Sequence, residues 1–209
     1  MDRSRAPGRR AGLTHAAVLG AAREVLAEKG LSALTMRSLA KRLDVTPNAL
    51  YSHVANKSAL IDDLLDDVLA AVDSPASDIE NPTACLHQLM ASTYNVLLAH
   101  SDLVPLYLSR QGARGPNAQR LGAITIDVLR RADVPEPAAA DALRVLIVYT
   151  IGFAAFTSGL PSENNTEHQP TPKALRDNFD QGLGWLLAGI QQSQPPDPRT
   201  VPPTVPRST

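Results

Sequence analysis

The sequence predicts an all-α protein of about nine helices, and three observations carry that prediction. Apolar residues recur at three- and four-residue spacing in segment after segment, as one buried helix face requires, while period-two alternation of Val, Ile and Thr is scarce. Residues that cap helix starts stand in front of many of these segments, several of them followed by proline. The chain has 209 residues, 44% of them hydrophobic and 20% charged, enough apolar surface for a substantial core.

The elements follow in order. Thr14 to Lys29 places Val18, Leu19, Ala22, Val25 and Leu26 on one face and closes on Gly30, suited to a left-handed cap. Thr35 caps Met36 to Leu43, whose Leu39, Ala40 and Leu43 face inward. Thr46 then caps a third helix, Pro47 to His53, with proline at its first position. Asn56 caps a fourth, Lys57 to Val72. Asp73 to Pro82 has the composition of a linker and ends in the helix start Asn81-Pro82. Thr83 to His100 is amphipathic, and a short helical turn follows near Leu103 to Ser109. Gln111 to Asn117 is a glycine-containing loop from which Pro116 opens Asn117 to Ala132. Pro135 and Pro137 bracket the start of Ala138 to Ser158, which is apolar around much of its circumference and is expected to be buried on more than one side. Pro161 to Pro172 reads as a mobile loop, and Lys173 to Gln192 as the last helix. The tail after Gln194 holds six prolines and is expected to be extended or disordered.

Several function classes are disfavoured at this level. The stretch Val145 to Ser162 is interrupted by Gly152, Thr157, Ser158 and Gly159 and barely reaches the roughly 18 apolar residues of a membrane span, so no membrane association is expected. No secretory leader pattern follows the basic N-terminus. Cys85, the single cysteine, excludes an internal disulfide or a cysteine-rich zinc site and fits a reducing cytoplasm; it reads as a partly buried helix residue. No nucleophile–base set, metal motif or phosphate loop is evident, so an enzyme is not expected, nor a cofactor or a metal. His87 and His100 lack the helical spacing of a metal pair, and Asp62, Asp63, Asp66 and Asp67 read as a solvated helix face.

The formal charge of −1 conceals an asymmetry. Residues 1–57 carry ten Lys/Arg against four acids, or +6; the remainder carries ten against seventeen, or −7. A basic end on an acidic remainder suggests a polyanion-binding module. Within that end, the two helices after Thr35 and Thr46, joined by Leu43-Asp44-Val45-Thr46, have the form of a helix-turn-helix, whose second helix can enter the major groove of DNA. Thr46, Asn48, Ala49, Ser52 and His53 give it a face of small polar groups; Asn48 can pair with adenine and Ala49 can touch a thymine methyl. Arg37, Tyr51 and Lys57 suit phosphate, and the arm with Arg3, Arg5, Arg9 and Arg10 adds salt-sensitive backbone affinity.

The run LTMRSLAKRLDVTPNALYSHVANKSALIDDLL resembles the DNA-binding domain of the tetracycline-repressor (TetR) family through Thr35, Arg37, Ala40, Leu43, Val45, Leu50, Tyr51, His53, Val54, Asn56, Lys57 and Leu60. The resemblance covers about residues 13–70. It implies a homodimer of all-helical subunits that binds a palindromic double-stranded operator, usually to repress, and releases it when a small-molecule effector enters the C-terminal domain. Carried over by position, Thr35, Arg37, Thr46, Asn48, Ala49, Tyr51, His53 and Lys57 fall where the family contacts DNA, and departures at Pro47, Asn48 and Ala49 imply a different operator from the tetracycline repressor's own. Phe179, Gly182, Leu183, Leu186, Leu187, Gly189 and Ile190 resemble the end of the same class of regulatory domain. The expected division is residues 1–56 for the arm and DNA-binding domain, 57–193 for the connecting helix and regulatory domain, and 194–209 for the tail.

Gly182 and Gly189 lie two turns apart on one helix face and permit close approach, so Ala138–Ser158 and Lys173–Gln192 are expected to pair with their dimer mates, with Gly152, Phe179, Gly182, Leu183, Leu186 and Gly189 at the interface. The aromatic and polarizable residues His87, Met90, Tyr94, Tyr107, Tyr149, Phe153 and Phe156 are the candidates for an effector pocket, each weighed against ordinary core packing. An activator, or a co-regulator of the same fold that binds no small molecule, is the alternative reading.

Overall fold

The computed structural model describes residues 12–75, 81–159 and 170–192. Among them are nine α-helices and no strand. The arm residues Arg3, Arg5, Arg9 and Arg10, the loop 161–169 and the tail fall outside the described residues.

α1 (His15–Ala33), α2 (Met36–Arg42) and α3 (Pro47–Leu50) form a small cluster at the N-terminal end. Thr14 accepts from the Ala17 N–H, Thr35 from Ser38 and Thr46 from Ala49; Thr35 and Thr46 are the caps expected, whereas Thr14, expected as the first helical residue, stands one place outside the helix as its cap. Val18, Ala22, Leu34, Leu39, Leu50 and Leu60 are fully buried and make the cluster's core. Gly30 does not end α1 outright: at φ 74°, ψ 177° it breaks the helix, and a last turn runs on to Ala33. The α2–α3 turn bends through Asp44 at φ 53°, a left-handed position that Asp tolerates, and the Val45 N–H returns to the Ala40 carbonyl at 3.0 Å.

α3 is shorter than the expected Pro47 to His53. Ser52 Oγ donates to the Ala49 carbonyl at 2.7 Å, the acceptor that a helical His53 N–H would use. The N–H groups of His53 and Val54 both turn instead to Leu50, at 2.9 and 3.0 Å, and the chain folds Val54 into the core.

α4 (Lys57–Val68) is capped by Asn56 and ends four residues before the expected Val72, passing into a 3₁₀ turn, Leu69–Ala71. The body is built from α5 (Pro82–Ala99), α6 (Val104–Arg110), α7 (Pro116–Arg131), α8 (Ala138–Ser158) and α9 (Pro172–Gln192). α8 packs against α5, α6, α7 and α9 and is the central helix of the body. It is long and apolar enough to cross a membrane, but it packs as a core helix. It is not buried all round, however: Val148 is 70% and Phe156 60% exposed, because α9 covers only part of its outer side.

Candidate functional site

The helix-turn-helix presents an uncommitted surface. Thr46 caps α3 and Pro47 occupies its first position, where a missing N–H costs nothing. Thr46, Pro47 and Asn48 are exposed, Ala49 and His53 half-buried, and Tyr51 is 51% exposed. The side chains of Asn48, Tyr51 and Arg37 make no hydrogen bond or ion pair among the described residues, so they are available to an external partner. Thr35 is occupied in a reciprocal capping box with Ser38. Lys57 extends its Nζ to the Leu31 carbonyl at 3.1 Å, fastening the start of α4 to the last turn of α1.

Arg42, one of the ten basic groups in the N-terminal surplus, has a different task. Its Nε donates to Glu24 at 2.7 Å and its two terminal nitrogens fork onto Glu28 at 2.8 and 2.6 Å, clamping α2 to α1. The pair holds the Glu28 carboxyl below its usual range and the Arg42 guanidinium above its own.

α4 joins this end to the body, and its acidic residues make the joint. The reading of Asp62, Asp63, Asp66 and Asp67 as a solvated face holds only in part: Asp62, Asp63 and Asp67 stay accessible to water but are paired, Asp62 with Arg110 at 2.7 Å, Asp63 with His15 at 3.0 Å and Asp67 with Arg23, and Asp66 departs from it altogether. Asp66 is 6% exposed. One of its oxygens accepts from the Asn117 N–H at 3.0 Å and from the Asn117 side-chain amide at 3.1 Å; the other accepts from the Ala118 N–H at 2.9 Å. These are the first N–H groups of α7, whose own N-cap, Gly115, supplies no side chain. Asp66 therefore caps α7 through N–H groups fifty-one and fifty-two residues away. A Cβ on Gly115 would collide with the Asp66 carboxyl, so glycine is required there by close approach. Tyr107 adds a second tie, its hydroxyl donating to the Leu65 carbonyl, and burial with Asp66 nearby pushes that phenol far above its ordinary pKa.

Behind this joint lies a partly open cavity of about 110 Å³ between α5, α6, α7 and α8. Met90, Tyr107, Gly112, Leu121, Thr125 and Thr150 are among its walls. A larger, open groove of about 780 Å³ runs between α8 and α9 on the outer side, with Tyr149, Gly182, Trp185 and Gly189 along it.

The family model "Bacterial regulatory proteins, tetR family" matches residues 18–64, from α1 into α4. Similarity extends well beyond that region: the class A tetracycline repressor of transposon 1721 from Escherichia coli is 33% identical over 199 residues, covering 83% of this chain and 88% of the relative. The chain belongs to the TetR family.

An HTH-type transcriptional regulator of Saccharopolyspora erythraea is 36% identical over 106 residues; that match takes in 51% of this chain and only 44% of the relative's length. Among solved structures, the TetR family protein ActR of Streptomyces coelicolor, in complex with (S)-DNPA, has a TM-score of 0.72 at 26% identity, covering 87% of this chain and 98% of ActR. BioQ with its double-stranded DNA operator has a TM-score of 0.68 at 26% identity, covering 86% and 99%.

In this TetR-family chain the residues expected at an effector pocket do not gather in one place. Met90 and Tyr107 line the cavity. Tyr94, Tyr149 and Phe153 instead surround Phe179 in an aromatic cluster, with Tyr94 stacked on Phe179 at 4.1 Å and the other two rings at 5.4 and 5.7 Å. Tyr149 donates to the Phe179 carbonyl at 2.8 Å, and burial, reinforced by Asp180, pushes its pKa up to about 12. His87 sits 3.8 Å from Asp180 and lines neither space, and Phe156 is on the outer surface.

The residues expected at a dimer interface also divide. Phe179 and Leu183 are fully buried within the subunit and so have no surface to offer a partner. Gly182 is used internally as well, since a Cβ there would collide with the Tyr149 hydroxyl. Gly152, Leu186 and Gly189 remain on the outer side. Sequence reasoning missed Trp185, 69% exposed, together with Val145 and Val148. Their signal was legible: Val145, Val148, Gly152 and Phe156 fall at steps of three and four along one stripe of α8. Among the described residues no group of three or more His, Cys, Asp or Glu could hold a metal ion.

Proposed function

We propose that the chain is a cytoplasmic, ligand-responsive transcriptional repressor that binds a palindromic operator as a homodimer and releases it when a small molecule occupies the body. The observation that carries this reading is the Asp66 joint, which connects the helix-turn-helix end through α4 to the wall of the cavity between α5, α6, α7 and α8. Asn48 and Ala49 read base edges, Tyr51 and Arg37 take phosphate, Thr35, Thr46, Pro47, His53 and Lys57 complete the contact surface, and Arg9 and Arg10 add backbone affinity from the arm. The division of labour falls at residue 56, with 57–193 as the connecting and regulatory part.

Trp185, Val145, Val148 and Phe156 make an exposed apolar surface across α8 and α9 that suits a second copy, giving a four-helix contact around Gly152 and Gly189. In the dimer the two recognition helices are held at one spacing. An effector that swells the cavity displaces α7 and α6, moves α4 through Asp66 and Tyr107, and changes that spacing. Such a ligand binds the released arrangement more tightly, or it shifts nothing. BioQ with its DNA operator and ActR with a small molecule support the reading by likeness of fold.

Selection of bound duplexes from a random pool by the full chain tests it. The expected product is a two-fold sequence with half-sites about one helical turn, or a multiple, apart. Enrichment of no sequence, or of a single half-site bound by a monomer, contradicts the reading.

A further inference from the structure

The chemistry of the cavity wall narrows what could occupy it. We infer that the space between α5, α6, α7 and α8 takes an uncharged, mostly apolar molecule the size of one ring, carrying at most one hydrogen-bond donor; this rests on the effector-responsive reading above. Among the described residues, no Asp, Glu, Lys, Arg or His lines the cavity. An ion moved there from water would lose its hydration and meet no opposite charge.

The hydroxyl groups of the wall sharpen this. Thr93 donates to the Leu89 carbonyl, Thr125 to Leu121 and Thr150 to Leu146, each at 2.8 Å, and Tyr107 donates to Leu65. All four hydroxyl protons are thus spent inside the chain, and what the threonines offer a ligand is lone pairs. A carboxylate or a carbonyl-rich molecule finds no hydroxyl donor in this wall; a lone O–H or N–H finds acceptors. Gln111, with the one amide side chain in the lining, is exposed and keeps its contact with water.

Size sets the remaining limit. At about 110 Å³ the cavity is somewhat smaller than the roughly 150 Å³ apolar void that accepts benzene, and far below the roughly 300–1,000 Å³ of sites for drug-sized ligands. One ring fits with modest swelling of the walls. Gly112 and Ala113 lie in the cavity wall and lead directly to Gly115, where Asp66 is seated, so swelling bears on the joint.

Saturation-transfer NMR on the full chain with phenol, benzoate and benzylammonium as separate probes tests the inference. Phenol is expected to bind and to move the methyl resonances of Leu121, Ile147 and Ile151 in the unmodified protein; the two ions are expected to do neither. Gly122→Leu and, independently, Ala118→Leu fill the cavity and should weaken phenol roughly tenfold or more. A Cβ at Gly122 meets only Leu143, at 3.8 Å, so a larger side chain has room to enter. Absence of phenol binding, phenol binding that leaves those methyls unmoved, or binding of either ion that the filled variants abolish overturns the inference. Operator affinity measured with phenol at saturation separates the two claims: cavity binding without operator release upholds the ligand class and counts against effector release.

Discussion

Of the helices that begin on proline, α3 and α7 are capped in opposite ways. α3 takes its cap from the adjacent residue, Thr46 accepting from the Ala49 N–H at 3.3 Å. α7 takes its cap from Asp66 on α4, across the join between the N-terminal helices and the body. The recognition end is therefore assembled from local signals, whereas its alignment to the body rests on a buried carboxylate contributed from afar. Disturbing the first should alter one turn of helix; disturbing the second should alter how two regions are held together.

The largest expected effect follows from removing the remote cap. Asp66→Ala strips the acceptor from two backbone N–H groups and a side-chain amide in a buried setting, and should cost about 2–4 kcal/mol in urea unfolding of the full chain. Thr46→Ala, the local counterpart, should cost about 1 kcal/mol. Equal losses would erase the contrast. Gly115→Ala approaches the same joint from the other side, driving a methyl into the Asp66 carboxyl, and should cost about 1–3 kcal/mol, alanine being also the poorer residue at an N-cap.

The recognition surface should respond in the reverse sense. Tyr51→Ala and Asn48→Ala remove exposed side chains with no hydrogen-bond or ion-pair partner among the described residues, so unfolding should change by less than about 0.5 kcal/mol. Operator binding, followed by fluorescence anisotropy, should weaken by about 1–3 kcal/mol for Asn48→Ala, with discrimination relaxed at one base pair. Loss of fold in either variant would show that these residues serve packing instead.

The smallest effect concerns the Arg42 clamp. Because Arg42 lowers the Glu28 pKa in the folded state, that contribution is complete at neutral pH and disappears as pH falls below the usual carboxylate range through the lowered value. Glu28→Gln should therefore reduce the steepness of acid unfolding slightly and leave stability near pH 9 little altered relative to its value at pH 7. An unchanged acid limb would remove Glu28 from the account of the α1–α2 contact.

What the amino-acid sequence disclosed follows the same line between local and remote. Thr35, Thr46, Asn56 and Asn81 each cap the helix expected of them, because a cap is recognised by neighbours three residues away. The all-helical class, the helix-turn-helix and the family were legible for that reason. The role of Asp66 was not, since its partners follow fifty-one residues later and four aspartates on one helix look alike until something packs on them. Nor was the fate of Phe179: an aromatic residue beside a glycine stripe reads equally as interface or core, and only the stacking of Tyr94 decides it. The effector candidates scattered because aromatic type does not specify which side of α8 a ring occupies. The exposed stripe of Val145, Val148 and Phe156 was written in the helical period but was hidden by reading α8 as apolar around much of its circumference and buried on more than one side.

If the body holds the recognition face in place through Asp66, loosening that contact must cost operator affinity. Operator affinity of Asp66→Asn, measured beside that of the unmodified chain at one salt concentration and temperature where both are folded, tests this most directly. Asparagine keeps one acceptor oxygen but sets an N–H₂ against the N–H groups of α7, which loosens the joint without emptying it. The predicted result is roughly a tenfold or greater loss of operator affinity with binding to unrelated duplex unchanged. Operator affinity equal to that of the unmodified chain, in a variant measurably less stable, would contradict it.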